Sequence, residues 1–325
     1  MKPKIQDVAK AAGVSPTTVS RVLNDRGYIS QTTREKVYQA MKDINYVAND
    51  VARSLYNKRT NLIGVIVPST SNPFYGELVS DIESICNTKG YKVLLCNSLH
   101  HADKETKYWE MLLRNQVDGV VVVTYNRGLI DDQQQLPAVA IDHYLSKNIN
   151  VVSSDNYTGG QLATRELLNK GCNKIIHING ASSLETPAND RRYAYENVMN
   201  ELNMNPITYE VPDVAFLEKN IETIKKLFHD HPDVDGIFAS DDLIAINVIQ
   251  HAKNLGYKIP EDLKVVGYDG TKLIRSIYPD LTTIVQPIAS IAETVVDVLD
   301  QQIAGKETAK NETILPIKLW HGNTT

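Results

Sequence analysis

Thr17, Thr18, Ser20 and Arg21 are polar side chains crowded onto one short helical pattern, the arrangement that can hydrogen-bond to the edges and backbone of a DNA duplex. A second set lies at the ends of short apolar runs: Ser240, Asp241 and Asp242, then Tyr268 and Asp269. Carboxylates accept hydrogen bonds from paired hydroxyls without a proton of their own, which suits a sugar. Arg191, between Asp190 and Arg192, is a forked donor that could bridge two sugar oxygens or a carboxylate. Phe74 and Tyr75 stand at a helix start, where their rings could stack on a small ligand or simply pack in a core.

The first set needs a helix-turn-helix. In the run from Ile5 to Asn24, Gly13 can take the left-handed conformation of a tight inter-helix turn. Ser15 can cap the second helix, and Pro16 sits where its missing N–H costs nothing. Val8, Ala9, Ala12, Val14, Val19, Val22 and Leu23 are spaced to close a small core. Thr32-Thr33-Arg34-Glu35 reads as a capping box opening a third helix, whose buried stripe would be Val37, Met41 and Ile44. An alanine-rich helical hairpin can match such a pattern by chance, so charge matters. Residues 1–60 hold eleven basic and five acidic side chains, while the rest holds 23 basic and 34 acidic. A basic end on an acidic body fits a protein that meets phosphate at one end, by release of counterions.

At 325 residues and 42% hydrophobic, the chain can bury a sizeable core. It has no apolar run of bilayer-spanning length and no apolar stretch behind Lys2 and Lys4, which gives the expectation of a cytoplasmic protein with no membrane partner. Cys86, Cys96 and Cys172 lack C-x-x-C spacing and read as reduced core thiols.

From Asn61 the pattern becomes short apolar runs alternating with amphipathic stretches, as in parallel sheets covered by helices. Strands are expected at 62–67, 91–96, 118–123, 137–141, 174–179, 236–239 and 263–267. Helices are expected at 74–89, 190–203, 217–229 and 242–255. A second series is expected to begin after Gly159-Gly160, and Val117-Asp118-Gly119-Val120-Val121 is echoed by Val234-Asp235-Gly236-Ile237-Phe238. Two lobes facing each other would enclose a ligand cleft beyond the strand ends. Asp190 and Asp242 could equally be helix N-caps. His100-His101 and His229-Asp230-His231 have no third ligand at useful spacing and are read as surface residues rather than a metal site. With no G-x-x-x-x-G-K-[ST], G-x-S-x-G or H-E-x-x-H, no enzyme, catalytic residue or cofactor is expected. A transport-type sugar-binding protein is the alternative, but it would have no use for a basic helix-turn-helix.

Asn45-Tyr46-Val47-Ala48-Asn49-Asp50-Val51-Ala52-Arg53-Ser54-Leu55, running on to Lys58-Arg59-Thr60, resembles the hinge segment of the LacI/GalR family. The resemblance continues through Asn72 to Glu77, Ser240-Asp241-Asp242, Val266 to Thr271 and Leu281 to Gln286. It implies an N-terminal all-α helix-turn-helix headpiece (1–48), a hinge helix and linker (49–60), and an α/β effector-binding and dimerisation core (61–325) of two doubly wound, periplasmic-binding-protein-like parallel-sheet lobes. The N-lobe would take about 61–157 and 287–316, and the C-lobe about 158–286 and 317–325. Pro16, Thr17 and Arg21 match family positions facing the major groove, where Arg21 can donate to guanine or phosphate and Thr17 can meet a thymine methyl. Thr18, Ser20 and Asn24 complete the candidate DNA-facing set. Leu55 matches a leucine that relatives wedge into the minor groove, and Ala52 lets two hinge helices approach; Ala48 replaces a common proline.

Effector positions fall by the same match on Tyr75, Asp142, His143, Arg191, Asp241, Asp269 and Gln286, with Phe74 beside them. Asp241 departs from the family's usual asparagine, and Ala194 from a usual glycine. Leu315 to Trp320, with Gly267 to Thr271 and Gln286 to Ile288, look most like the family's sucrose-operon branch in Gram-positive bacteria. The implied protein is a repressor of a carbohydrate operon. Its partners would be a palindromic double-stranded operator, a second copy of the chain, and a small sugar or sugar phosphate related to sucrose, more often an inducer in relatives. Participation by a phosphorylated carrier protein as corepressor stays open. No heptad pattern follows Trp320, so a dimer is expected rather than a tetramer.

Overall fold

The computed structural model describes residues 3–47, 59–99, 101–124, 126, 129, 136–143, 145–146, 149–181, 187–211, 217–306, 308 and 312–325. The chain forms two compact units, residues 1–61 and 62–325. The expected hinge positions Ala48, Ala52 and Leu55 lie outside the described residues.

The first unit holds α1 (Ile5–Ala12), α2 (Pro16–Leu23) and α3 (Gln31–Asp43). Gly13 has φ +65°, which turns α1 into α2, and the Ser15 hydroxyl accepts the Thr18 N–H at 3.1 Å. Val8, Ala9, Val19, Val22, Val37 and Ala40 form the core, with Met41 and Ile44 packed against it. The start of α3 differs from the expected capping box. Ser30, not Thr32, is the N-cap, accepting the Thr33 N–H at 3.3 Å, while Glu35 accepts from the Gln31 amide instead of reaching back to Thr32. The reason is a repeated device: Ser15/Thr18 and Ser30/Thr33 are both S-x-x-T pairs whose hydroxyls also bond each other, at 2.9 and 2.8 Å.

The second unit contains two six-stranded sheets. The first is built from β1 (Leu62–Val67), α4 (Pro73–Thr88), β2 (Lys92–Asn97), α5 (Ala102–Arg114), β3 (Gly119–Val122), β4 (Ala138–Ile141) and β5 (Asn150–Ser154). The chain then enters the second with α6 (Asn156–Asn169), β6 (Ile175–Gly180), α7 (Pro187–Glu201), β7 (Ile207–Val211), α8 (Leu217–Asp230), β8 (Gly236–Ala239), α9 (Asp242–Asn254), β9 (Lys264–Asp269), α10 (Lys272–Ile277) and β10 (Thr282–Val285). It returns through α11 (Ile288–Ile303) and β11 (Glu312–Leu315), then crosses once more to β12 (Lys318–Trp320). Strand orders are β11-β5-β4-β3-β1-β2 and β12-β10-β9-β8-β6-β7, parallel except for β10 with β12.

Both faces of these sheets are covered, which is why the strands read as continuous apolar runs. In β1, Ile63, Val65 and Val67 pack with α4 and α11 residues such as Leu78, Ile82 and Val295, while Ile66 packs with Trp109 and Leu112 of α5. The three cysteines are free and buried, with burial the main force pushing each thiol pKa up. No helix among the described residues is long and apolar enough to cross a membrane.

The glycine pair and two candidate caps find their places in this unit. Gly159 and Gly160 lie inside α6, which leads from β5 into the second series of strands and opens at Asp155, whose carboxylate accepts the Thr158 N–H at 3.0 Å. Neither Asp190 nor Asp242 is an N-cap. Asp241 caps α9, and Asp190 lies within the first turn of α7.

Candidate functional site

On α2, Pro16, Thr17 and Arg21 are exposed, and Thr17 and Arg21 stand one turn apart on the same face. Ser20 is half-buried. Two other candidates are engaged in building the helix: Thr18 Oγ1 pairs with Ser15 Oγ, and the Asn24 amide donates to the Ser20 carbonyl at 2.8 Å, closing the C-terminus. Arg34 forms an ion pair with Asp25 at 2.7 Å, which tethers α3 to the preceding turn. Tyr28, after Gly27 in that turn, is 96% exposed, an aromatic side chain that pattern reading did not single out.

The second set of residues meets where the chain crosses between the two sheets. Ser154, at the end of β5, donates its hydroxyl to Gln286 Oε1 at 2.6 Å, and Gln286 lies just after β10, so the two crossing strands are tied together. The Gln286 amide donates to Asp269 Oδ1 at 2.7 Å. Asp269 ends β9 at φ +103° and lies 3.8 Å from Arg191 Nη1. Arg191 Nε donates to Asn156 Oδ1 at 2.9 Å and its Nη1 to the Ser240 carbonyl at 2.6 Å, while the guanidinium lies 3.6 Å over the Tyr268 ring. Three of the predicted residues, Arg191, Asp269 and Gln286, are thus buried within one network spanning the ends of β5, β9 and β10 and reaching the Ser240 carbonyl after β8, with Asp241 buried next in sequence to Ser240. Its geometry depends on the glycine pair of α6. A Cβ on Gly159 would overlap the Tyr268 hydroxyl, and one on Gly160 would lie 2.5 Å from the Arg191 carbonyl oxygen.

Asp142 follows β4 from the first lobe at φ +63°, with His143 buried next in sequence. Burial pushes the Asp142 carboxyl up to about 6 and Asp269 up to about 7, against the opposing pull of Arg191. Burial also raises Asp241, and raises Asp242 further with the help of Asp269. Burial alone would lower the guanidinium pKa, but Tyr268, Asp269, Asp142 and Asp241 outweigh it, so Arg191 stays charged. Asp242 is structural: it accepts the Gly270 N–H at 2.8 Å and the Thr283 hydroxyl. Asp241 Oδ1 accepts the Ile244 N–H at 2.8 Å.

The aromatic pair divides. Phe74 belongs to the first lobe's apolar core, and Tyr75 is half-buried against it, ring edge to face at 5.3 Å. Asn72 and Pro73 from the first lobe, with Leu243, Asp269, Thr271 and Ile274 from the second, line a narrow pocket between the lobes. Pattern reading missed Asn156, for which no local signal exists, and the role of Tyr268 as the platform under Arg191. Among the described residues no three metal-binding side chains cluster.

Comparison with known proteins agrees with this layout. Residues 4–49 match the model for bacterial regulatory proteins of the lacI family, and residues 164–325 that for a periplasmic binding protein-like domain. The sucrose operon repressor of Pediococcus pentosaceus is 47% identical over 326 residues, covering 100% of both chains. The ribose operon repressor of Halalkalibacterium halodurans is 40% identical, covering 99% of this chain and 96% of its own length. The crystal structure of the Lac repressor dimer bound to operator and the anti-inducer ONPF matches with a TM-score of 0.87 at 27% identity, covering 100% of this chain and 99% of that one. A serine-capped second helix, two doubly wound lobes and similarity to such regulators over the full length all lead to one assignment: the chain belongs to the LacI family of bacterial regulatory proteins.

Proposed function

We propose that this protein is a cytoplasmic transcriptional repressor of a carbohydrate-utilisation operon, sucrose-related, that binds a palindromic operator as a homodimer and responds to a small sugar or sugar phosphate between its lobes. The observation that carries the reading is the coexistence of an exposed Thr17/Arg21 face on a serine-capped second helix with a buried Arg191–Asp269–Gln286 network at the lobe crossings. The first offers donors to a groove and the second offers paired acceptors and a forked donor to hydroxyls.

The helical unit supplies the DNA contact, with Pro16, Thr17, Thr18, Ser20, Arg21 and Asn24 on or bracing its recognition helix and Ala52 and Leu55 at the hinge. In the cleft, Asp142, His143, Arg191, Asp241, Asp269 and Gln286 surround the effector, with Tyr75 and Phe74 at the first-lobe wall. Effector binding changes the angle between the lobes, and the segment joining the two units converts this into a changed fit to two operator half-sites. The names of the full-length relatives, sucrose and ribose operon repressors, support the sugar class, and the Lac repressor dimer on its operator supports the dimer. The protein acts by binding and not by catalysis.

The test is operator binding by fluorescence anisotropy at fixed salt, using the promoter region nearest the gene, with and without sucrose, fructose and their phosphates. Release of tight, sequence-specific binding by one of them is expected. Binding no tighter to the promoter than to random duplex would overturn the reading.

A further inference from the structure

The charges around Arg191 discriminate between the two ligand classes that the proposed function leaves open. We propose that the cleft selects an uncharged, hydroxyl-rich sugar and rejects the phosphorylated form of the same sugar. The inference rests on the reading of the cleft as the effector site.

Three observations carry it. First, two of the three nitrogens of the buried cation are committed, Arg191 Nε to Asn156 and Nη1 to the Ser240 carbonyl and to Asp269, and the guanidinium plane lies on the Tyr268 ring. The Gln286 amide is likewise committed to Asp269. Secondly, apart from the buried Tyr268 phenol and His177 imidazole, the ionisable groups that face this cation from the described elements are carboxylates: Asp142 after β4, Asp190 on α7, Asp241 before α9 and Asp269 at the end of β9. Neighbouring cations are engaged elsewhere, Arg192 with Glu196 and Glu210, and Lys272 with Glu77 and Asp81. Thirdly, Asp142 Oδ1 is buried with no hydrogen-bond partner. An orphaned buried acceptor is completed by a donor, which a sugar hydroxyl supplies and a phosphoryl group placed at this oxygen does not.

Asp241 sharpens the point. Its carboxylate caps α9, but an asparagine caps a helix as well as an aspartate does, so capping does not call for a charge here. The negative charge at this position instead adds to the field of carboxylates around Arg191. Adding a dianion a few ångströms from several carboxylates, in a medium of effective dielectric near ~20, lowers affinity by about tenfold or more.

The test is isothermal titration calorimetry on the full chain with sucrose, fructose and glucose, and with sucrose 6-phosphate, fructose 6-phosphate and glucose 6-phosphate, in the native protein and in Asp241→Asn. A neutral sugar is expected to bind, with its phosphate ester at least about tenfold weaker. Asp241→Asn, which keeps the cap, is expected to narrow that gap several-fold. A phosphate ester that binds the native protein as tightly as its parent sugar overturns the inference while leaving the cleft as the effector site. Absence of binding by all six compounds overturns both. If the variant does not fold, the native comparison alone decides.

Discussion

Glu77 on α4 and Lys272 at the start of α10 join the two lobes: the Lys272 N–H donates to Glu77 Oε2 at 2.7 Å and its ammonium lies 3.4 Å from Glu77 Oε1. Asp81, one turn further along α4, is 3.6 Å from the same ammonium. Charge-assisted hydrogen bonds of this kind contribute about 1.5–3 kcal/mol, and the Glu77 side chain is only 15% exposed. Glu77→Ala is expected to destabilise the α/β unit by about 1–2 kcal/mol, and Glu77→Gln, which keeps an acceptor for the N–H, by less than half of that. Urea unfolding followed by fluorescence reads this unit, since both tryptophans, Trp109 and Trp320, lie in it. Equal stability of Glu77→Ala and the native protein would show that the clasp holds nothing.

The raised carboxyls give a pH dependence with a definite sign. Asp269, near 7, and Asp142, near 6, hold their protons more tightly in the folded chain than an unfolded aspartate near ~3.9 does. Their contribution is fully present below about pH 4 and is lost as pH rises through 6 to 7, so folded stability declines over that window. Asp269→Asn removes one titrating group. Its stability relative to the native protein should therefore be more favourable at pH 8 than at pH 5, measured by urea titration at both values. A difference independent of pH would mean that Asp269 titrates normally.

Gly160 sets how closely α6 approaches the arginine. Its missing Cβ would stand 2.5 Å from the Arg191 carbonyl oxygen and 2.8 Å from its Cα, and backbone cannot swing aside as a side-chain tip can. Gly160→Ala gains helix propensity but overpacks this contact, for a net loss of about 1–3 kcal/mol. The same displacement moves Arg191 against Tyr268 and Asn156, so the sugar-induced release of DNA should weaken as well. A variant as stable and as responsive as the native protein would show that α6 is free to retreat.

Much of this architecture was written locally. Leu62–Val67 and Gly236–Ala239 match the expected strands residue for residue, because apolar runs bounded by polar turns are short-range signals. Gly13 and the Ser15 cap were legible for the same reason. The role of the glycine pair was not legible, because the space they clear is for Arg191 and Tyr268, residues more than thirty positions away. Glu77 with Lys272, and Asn156 with Arg191, are contacts across such separations, and neither partner carries a sign of the other in its own neighbourhood. The start of α3 was misplaced between two competing cappers, Ser30 and Thr32, that differ by two residues.

The α2 residues separate into those that would read DNA and those that brace the helix, and the two kinds fail differently. Arg21 is exposed and one turn from exposed Thr17, so Arg21→Ala should weaken operator binding by about 1–3 kcal/mol and relax preference at one base pair in each half-site. Asn24 is tied to the Ser20 carbonyl, so Asn24→Ala should lower the thermal stability of the helical unit and weaken binding to every sequence alike. Anisotropy titrations against the operator and single-base variants distinguish these, with circular dichroism melts of the same proteins. If Asn24→Ala shifted base preference while the melt stayed unchanged, Asn24 would be a reader and its bond to Ser20 would open on DNA.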